Sequence, residues 1–213
     1  MAMIVGACSA ANVPAVVHFH GGLPAGDGAT RGLQRATLRR TARVLFTHAL
    51  QAQPWIEAGL LEPAQVEVVC ETSTRMFDGQ PGTTARPSTL AGRPACVAVG
   101  RLHPVKDPPT LLAAFAIVAE ARPAARLHCF FGSDAYAGRL RAVVASAPAL
   151  AGRVVFHGYT KSVGVRDALA GAGVFVQTSR REWSGLSILE ALAAGCPAVV
   201  SDIPALRALT DDG

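Results

Sequence analysis

The stretch VFVQTSRREWSGLSILEALAAGCPAVVS, residues 174–201, decides the fold. It begins with the apolar run VFVQ and ends with a second run, PAVVS, and both are typical of buried strands. Between them, SILEALAA is rich in leucine and alanine and predicts a helix from Ser187. A strand, a helix and a second strand in this order form one unit of a parallel sheet. The stretch therefore predicts an α/β fold.

The same alternation continues toward the N-terminus. Short apolar runs predict strands at 95–99, 127–131, 153–157, 174–177 and 197–201. Helical segments occupy the gaps, beginning at Pro109, Ala135, Ser162 and Ser187. Five strands with a helix in each gap predict a doubly wound, Rossmann-like domain with a parallel sheet.

Before residue 95 the alternation is shorter. VPAVVHF, RVLFTH and VEVVC predict strands, and helices are expected near 31–42 and 48–58, which indicates part of a second Rossmann-like domain. Residues 78–94 are rich in Gly, Pro, Ser and Thr, a composition typical of a linker. We therefore expect a partial N-terminal domain over 1–77, a linker over 78–94 and a C-terminal domain over 95–213 that is truncated at its end.

Composition narrows the class of protein. The 213 residues carry a formal net charge of +5 without a dense basic run, so a nucleic-acid partner is not expected. The five cysteines form no CxxC pair, which favours reduced thiols. No apolar run reaches the roughly 18 residues that a membrane span needs. We expect a cytoplasmic protein.

Two loops carry the candidate site, because ligands of open parallel sheets bind where strands end and helices begin. The first loop, GRLHPVKD, follows the strand at 95–99. Gly100 permits a close turn, and Arg101 and Lys106 place two positive charges at the carboxyl edge of the sheet. Two cations at this edge suit a diphosphate.

The second loop, TSRREWSGLS, follows the strand at 174–177. The backbone N–H groups of Ser184, Gly185 and Leu186 open the next helix and predict an anion site. Glu182 lies just before them, and Glu190 lies about one turn into the helix. A carboxylate, anion-binding amides and a second carboxylate match a ligand built from a sugar, a diphosphate and a ribose.

Two segments, each containing one of these loops and the helix after it, resemble a known family. VAVGRLHPVKDPPTLLAAF and REWSGLSILEALAAGCPAVVS are similar to the donor-binding domain of the group 1, family 4-like, retaining nucleotide-sugar glycosyltransferases with the GT-B fold. The resemblance covers roughly residues 95–203. It implies transfer of a sugar from a nucleotide-diphosphate sugar, with retention of anomeric configuration, to an acceptor that could be a glycan, a lipid-linked molecule or a small molecule.

The resemblance also implies roles for single residues. Arg101 and Lys106 would hold the donor diphosphate, Glu182 would contact the transferred sugar, and Glu190 would contact the ribose. PAVVHFHGG resembles a family strand that brings His20 into the cleft near donor and acceptor. No metal and no other cofactor is expected, since the two cations would stabilise the leaving diphosphate.

Other interpretations stay open at this stage. The charges of the two loops could be solvated, and a non-catalytic sugar-nucleotide-binding module would keep the same donor ligands. A dinucleotide-dependent oxidoreductase would share the architecture, but no GxGxxG motif follows a strand. His18 and His20 face the same side of a strand, yet no third metal ligand is found at a recognisable spacing.

Two further expectations concern the ends and surface of the chain. Arg31, Arg35 and Arg39 form one helical stripe, which indicates a solvated face or, as the alternative, a weak peripheral membrane contact. The family's first domain normally begins with strands that precede the one at His20, and its second continues past LTDDG. We therefore expect a fragment that binds nucleotide and is inactive, or nearly so, in sugar transfer.

Overall fold

A computed structural model of the chain describes residues 1–69, 90–132 and 136–210. The chain forms two compact units, Met1–Glu71 and Thr72–Gly213. Most of the linker predicted at 78–94 lies outside the described residues, as do the first residues of the helix predicted from Ala135. In the part of the chain that is described, no helix is both long and apolar enough to cross a membrane.

The first unit contains three parallel strands in the order β1-β2-β3. Its elements are α1 (Ala2–Ala10), β1 (Val16–Phe19), α2 (Gly28–Leu38), β2 (Arg43–Phe46), α3 (Ala49–Glu57) and β3 (Val66–Val68). The three predicted strands are present, but α1 was not predicted. The helix expected at 31–42 begins earlier, because the side chain of Asp27 accepts a hydrogen bond from the Thr30 N–H at 2.8 Å and caps α2 there.

The core of the first unit lies between its sheet and helices. Trp55 of α3 packs against Phe19 of β1 with ring centroids 4.7 Å apart. The fully buried apolar side chains come from the sheet, the helices and the turn after α3: Leu38, Val44, Phe46, Ala52, Trp55, Leu60 and Leu61. This cluster gives the unit a core of its own.

The second unit contains a larger parallel sheet. Its strands are β4 (Ala95–Val99), β5 (Arg126–Phe130), β6 (Val154–Gly158), β7 (Val174–Gln177) and β8 (Ala198–Val200). Its helices are α4 (Pro108–Ala121), α5 (Ala137–Ser146), α6 (Ser162–Ala170), α7 (Leu186–Ala193) and α8 (Pro204–Thr210). The α/β prediction is confirmed, and each predicted strand agrees with an observed strand to within one residue at either end.

The strand order β6-β5-β4-β7-β8 determines where a ligand can bind. All neighbouring strands are parallel, and β4 pairs with β5 on one side and with β7 on the other. The chain therefore winds outward in two directions from β4, and the order switches between β4 and β7. In open α/β sheets this switch creates a crevice at the carboxyl ends of the two strands.

Helices cover both faces of this sheet. On one face Cys96, Leu127 and Cys129 pack with α4 and α5. On the other face Val97 and Phe175 pack with α6, α7 and α8. Successive strand residues point to opposite faces, so each central strand contributes to both cores and reads as a continuous apolar run. Packing on both faces supports the carboxyl ends of the strands, from which the two candidate loops leave.

Candidate functional site

A cavity opens at the carboxyl ends of β4 and β7, at the switch in strand order. Its volume is about 40 Å³, counted as space for the centres of water-sized molecules, and it is open to solvent on one side. Strand ends and the two candidate loops supply its lining: Ala98, Val99, Gly100, Arg101, Leu102, Lys106, Pro108, Leu111, Cys129, Phe130, Val176, Gln177, Thr178 and Ser179.

The first loop leaves β4 through a tight turn. Gly100 has a φ of 143°, which side-chain-bearing residues rarely adopt, and its N–H donates to the Phe130 carbonyl of β5 at 3.0 Å. The loop then forms a 3-10 turn over Pro104–Lys106, begun by a hydrogen bond from the Val105 N–H to His103 Nδ1 at 3.2 Å. This path brings Lys106 back to the cavity beside Gly100.

Asp107 joins the end of the first loop to the second loop. Its backbone is left-handed, with φ 45°, and its carboxylate accepts a hydrogen bond from Arg180 Nε at 2.8 Å. The Arg180 N–H also donates to the Val105 carbonyl at 2.9 Å. Thr178 Oγ1 donates to the carbonyls of Lys106 and Asp107 at 3.1 and 3.0 Å. The hydrogen bond from Arg180 lowers the pKa of Asp107 below its ordinary 3.8, so the carboxylate stays ionised.

Glu182 lies at the centre of the second loop's polar contacts. Its Oε2 forms an ion pair with Lys106 Nζ and accepts hydrogen bonds from Gln177 Nε2 and, at 3.5 Å, from Ser179 Oγ. Its Oε1 accepts from the Trp183 N–H at 3.1 Å. The Glu182 side chain is only 9% exposed, and these donors offset the cost of burying its charge.

The structure brings four of the predicted donor-site residues together. Gly100, Arg101 and Lys106 line the cavity, and Glu182 contacts Lys106 directly. Arg101 is exposed, so its guanidinium is accessible to a ligand from solvent. The pairing of Lys106 with Glu182 was not predicted from the sequence, which assigned the two residues to different parts of a ligand.

The predicted anion-binding amides open α7. Gly185 is the N-cap residue with φ 62°, and its carbonyl accepts the first intrahelical hydrogen bonds from Ile188 and Leu189. A Cβ at Gly185 would lie 2.2 Å from Leu209 Cδ1, so α8 packs closely over this cap. Leu186 begins the helix, one residue before the predicted start, and Ser184 precedes the cap.

The remaining predicted residues lie elsewhere. Glu190 is half-buried about one turn into α7 and is not among the residues that line the cavity. His20 belongs to the first unit, where its ring centroid lies 4.1 Å from that of His18. Among the residues that the structure describes, no group of three or more His, Cys, Asp or Glu side chains comes together in a way that could hold a metal ion.

Several polar residues of the site were missed by sequence reasoning: Asp107, Gln177, Thr178, Ser179 and Arg180. Gln177 could have been identified from the sequence, because it ends an apolar strand and lies on the same face as Phe175, which is fully buried. A polar side chain there must find hydrogen-bond partners or cost free energy. Arg180 and Asp107 give no such signal, since a charge in a loop is ordinary.

Cys129 is the one thiol that lines the cavity within the described residues. Burial raises its pKa to about 12, so the thiol stays protonated at neutral pH. A protonated, buried thiol is a poor nucleophile. Cys129 therefore contributes apolar surface to the cavity floor.

Solved structures share this fold. HepE of Anabaena, in a complex with UDP and glucose, matches with a TM-score of 0.71 at 18% identity, over 98% of this chain and 59% of HepE. Sucrose-phosphate synthase of Thermosynechococcus elongatus matches with a TM-score of 0.70 at 25% identity, over 90% of this chain and 51% of the synthase. These likenesses identify the fold as GT-B.

Sequence comparison gives the family. Mannosylfructose-phosphate synthase of Agrobacterium fabrum is 34% identical over 112 residues, which are 49% of this chain and 24% of the synthase. The chain thus spans about a quarter of that relative and little more than half of the matched structures. The family model for glycosyl transferases group 1 matches residues 93–213, which include both loops of the cavity. The chain therefore belongs to the group 1 glycosyl transferases.

Proposed function

We propose that the chain binds a nucleotide-diphosphate sugar at the switch point and is the donor-binding part of a retaining, metal-independent sugar transferase. The observation that carries the proposal is that Arg101 and Lys106 line one cavity at the carboxyl ends of β4 and β7, where Lys106 contacts the carboxylate of Glu182. A diphosphate needs cations, and a sugar needs a hydrogen-bond acceptor for its hydroxyls. The ion pair of Lys106 with Glu182 places a cation and an acceptor next to each other.

The diphosphate would bind between the first loop and α7. Arg101 and Lys106 supply positive charge from one side, and the amides around Leu186 supply the positive end of the helix dipole from the other. The ribose would then reach Glu190, further along α7.

The chemical step breaks the bond between the anomeric carbon and the diphosphate oxygen. The electron pair of this bond goes to the departing phosphate, and positive charge develops on the sugar ring. The acceptor's nucleophilic atom then bonds to the anomeric carbon, and its proton passes to the departing phosphate. Arg101 and Lys106 stabilise the departing anion, which is the task that a divalent metal performs in other enzymes. Glu182 holds the sugar through its hydroxyl groups. Retention of configuration, and the place of His20 near donor and acceptor, are carried over from the family resemblance.

The first test is a thermal-shift panel on the 213-residue chain with UDP-, GDP- and ADP-sugars. We expect one nucleotide series to raise the melting temperature, because a ligand that binds only the folded state stabilises it. The series that does so identifies the base. If none of the three series shifts the transition, the proposed donor site is wrong.

The second test concerns transfer. The relatives' activities belong to proteins of which this chain spans only a part. From the family resemblance we propose nucleotide binding by residues 1–213 with negligible transfer. The test compares this chain with a longer chain from the same locus. Transfer is measured with a labelled donor and a panel of acceptors, and NMR determines the anomeric configuration of the product. Equal transfer by both would overturn the expected inactivity, and binding without transfer by the longer chain would favour a non-catalytic binding module.

Two further parts of the proposal have their own tests. Activity of the longer chain should survive EDTA, whereas loss that magnesium or manganese restores would contradict a metal-free mechanism. We place the protein in the cytoplasm, supported by the free cysteines Cys8, Cys96, Cys129 and Cys196 in the described residues. Fractionation of cells that express a tagged chain would test this.

A weak peripheral membrane contact is the remaining part of the proposal. Arg31 and Arg35 lie exposed on α2, and Arg39 follows at its end. Cations on one helical stripe are attracted to anionic lipid. Co-sedimentation with phosphatidylglycerol vesicles but not with phosphatidylcholine vesicles would support the contact. Equal co-sedimentation with both kinds of vesicle would contradict it.

A further inference from the structure

Gln177 is a buried polar residue at the end of β7. It is 6% exposed, and its backbone pairs with Val200 of β8. Phe175, two residues earlier on the same face of the strand, is fully buried in an apolar cluster. A primary amide at such a position is retained only where its polar atoms are satisfied, because leaving them unpaired costs about 1–3 kcal/mol.

The amide of Gln177 joins three segments of the chain. Its Nε2 donates to Ser179 Oγ at 3.1 Å and to Glu182 Oε2. Its Oε1 accepts from Ser187 Oγ, in the first turn of α7, at 3.2 Å. These partners fix the orientation of the amide, because the reversed amide would set an oxygen against the carboxylate of Glu182.

Glu182 has two kinds of side-chain donor. Lys106 is charged and belongs to the group of residues that would hold the diphosphate. Gln177 is neutral and sits on the end of a strand whose neighbours are β4 and β8. When Lys106 turns to a bound phosphate, the Gln177 amide and the weaker 3.5 Å contact from Ser179 remain as side-chain donors to Oε2.

We propose that Gln177 is a positioning residue that holds the Glu182 carboxylate in the orientation in which it accepts hydrogen bonds from the donor sugar. This proposal rests on the proposed function, since it takes Glu182 as the sugar contact. Gln177 lines the cavity, but its two Nε2 protons are taken by Ser179 Oγ and Glu182 Oε2, so it acts through Glu182 rather than by donating to the nucleotide. It therefore determines how well a nucleotide-sugar binds relative to the same nucleotide without the sugar.

A purely structural role for Gln177 makes a different prediction. If the amide only connects β7 to α7, its loss loosens the whole loop. Nucleoside diphosphate and nucleotide-sugar would then lose affinity by the same factor. The ratio of the two affinities is thus the quantity that separates positioning from packing.

The experiment measures binding of a nucleoside diphosphate and the matching nucleotide-sugar to the 213-residue chain by calorimetry, with the base taken from the thermal-shift panel. Gln177→Leu removes both donors and keeps similar volume. We expect it to weaken nucleotide-sugar binding about tenfold, as for loss of one hydrogen bond to a charged group, and to change nucleoside diphosphate binding less than about threefold.

Two additional variants make the result interpretable. Ser187→Ala removes the hydroxyl that orients the amide, leaves β7 unchanged, and should shift the affinity ratio in the same direction by a smaller factor. Gln51→Leu is the matched control, because Gln51 is a buried amide (5% exposed) in the first unit, and it should lower thermal stability without changing the ratio.

The outcomes separate the two proposals. Equal losses for both ligands, or an unchanged ratio in the Gln177 and Ser187 variants, would overturn the positioning role while leaving the proposed function intact. If the wild-type chain binds neither ligand, the proposed function fails, and the positioning role fails with it. If Gln177→Leu does not fold, Ser187→Ala decides the outcome.

Discussion

Lys106 and Glu182, 76 residues apart in the sequence, form an ion pair at the floor of the two loops. The pair exists because β4 and β7 are neighbours, so that the loops that leave them meet at one edge of the sheet. Each residue is thus the ionic partner of the other. If the proposed donor site is correct, a diphosphate would compete with Glu182 for Lys106, and a sugar hydroxyl would compete with Lys106 for Glu182.

Glu182→Gln should strengthen binding of a nucleoside diphosphate that carries no sugar. Removal of the negative charge releases Lys106, and a partly buried pair of this kind is worth about 1 kcal/mol, or about fivefold in affinity. Titration calorimetry with the free nucleoside diphosphate measures the gain. In a Lys106→Ala background the same substitution should produce no gain, and a gain there would mean that the pair is not responsible.

Arg101→Ala should slow sugar transfer by a longer, active chain without unfolding it. Arg101 is exposed at the cavity, and removal of a preorganised charge from a developing anion typically costs about 3 kcal/mol, or about a hundredfold in rate. The rate is measured with saturating donor. Arg139→Ala removes an equally exposed arginine from α5 and serves as the control. Similar rates for both variants would contradict the role of Arg101.

Gly185→Ala should destabilise the second unit more than Gly195→Ala. Both glycines have positive φ, 62° and 72°, so each alanine costs about 1–2 kcal/mol of backbone strain. Only at Gly185 does the new Cβ approach a neighbour, at 2.2 Å from Leu209 Cδ1, whereas no atom lies within 4 Å at Gly195. Chemical denaturation measures the difference, and equal losses would show that α8 accommodates the methyl group without cost.

The free energy of unfolding should fall as the pH drops below 6.5. Burial and the neighbouring His128 lower the pKa of His157 below its ordinary 6.5. The unfolded chain then binds the proton more readily than the folded chain, so this stability is complete above pH 6.5 and is lost below it.

Hydrogen bonds fix which ring nitrogens of the histidine pair carry a proton. His128 Nε2 contacts the Ala91 carbonyl at 2.8 Å and must donate to it, so His128 Nδ1 accepts from His157 Nε2 at 2.9 Å. The proton that charges His157 therefore adds at its Nδ1, and burial of the ring together with the neighbouring His128 opposes that charge. Denaturation at pH 7.5 and 5.5 measures the effect, and His157→Gln should reduce it. An unchanged pH dependence in that variant would assign the effect to other groups.

The strands of the second unit were predictable because each is a run of apolar residues that are adjacent in the sequence. Residues 95–99 and 174–177 agree with the observed strands at both ends, since the first apolar run is followed by Gly100 and the second ends in the polar pair Gln177 and Thr178. The helix α1 was missed because Ala2–Ala10 lacks a polar face, so its pattern shows no helical period. Pro204 marks the start of α8, but a helix of seven residues leaves too short a pattern to recognise.

The candidate site was predictable residue by residue but not as a network. Arg101, Lys106 and Glu182 were identified from loop position and from the family resemblance. That Lys106 pairs with Glu182 depends on the strand order, which local pattern does not contain. The contacts of Gln177 depend on a strand, a loop and a helix at once, and no sequence period connects them.

The contacts among Asp107, Thr178 and Arg180 have a consequence for protein engineering. Two loops that are far apart in the gene are fastened to each other by backbone and side-chain hydrogen bonds. A graft of the β4 loop from a relative without an acidic residue at position 107 would leave Arg180 without its carboxylate acceptor, and Thr178 would keep its acceptors only if the new loop followed the same backbone path. Any exchange of donor preference between relatives should therefore transplant both loops as a single cassette, and libraries that randomise only one of them will sample mostly misassembled sites.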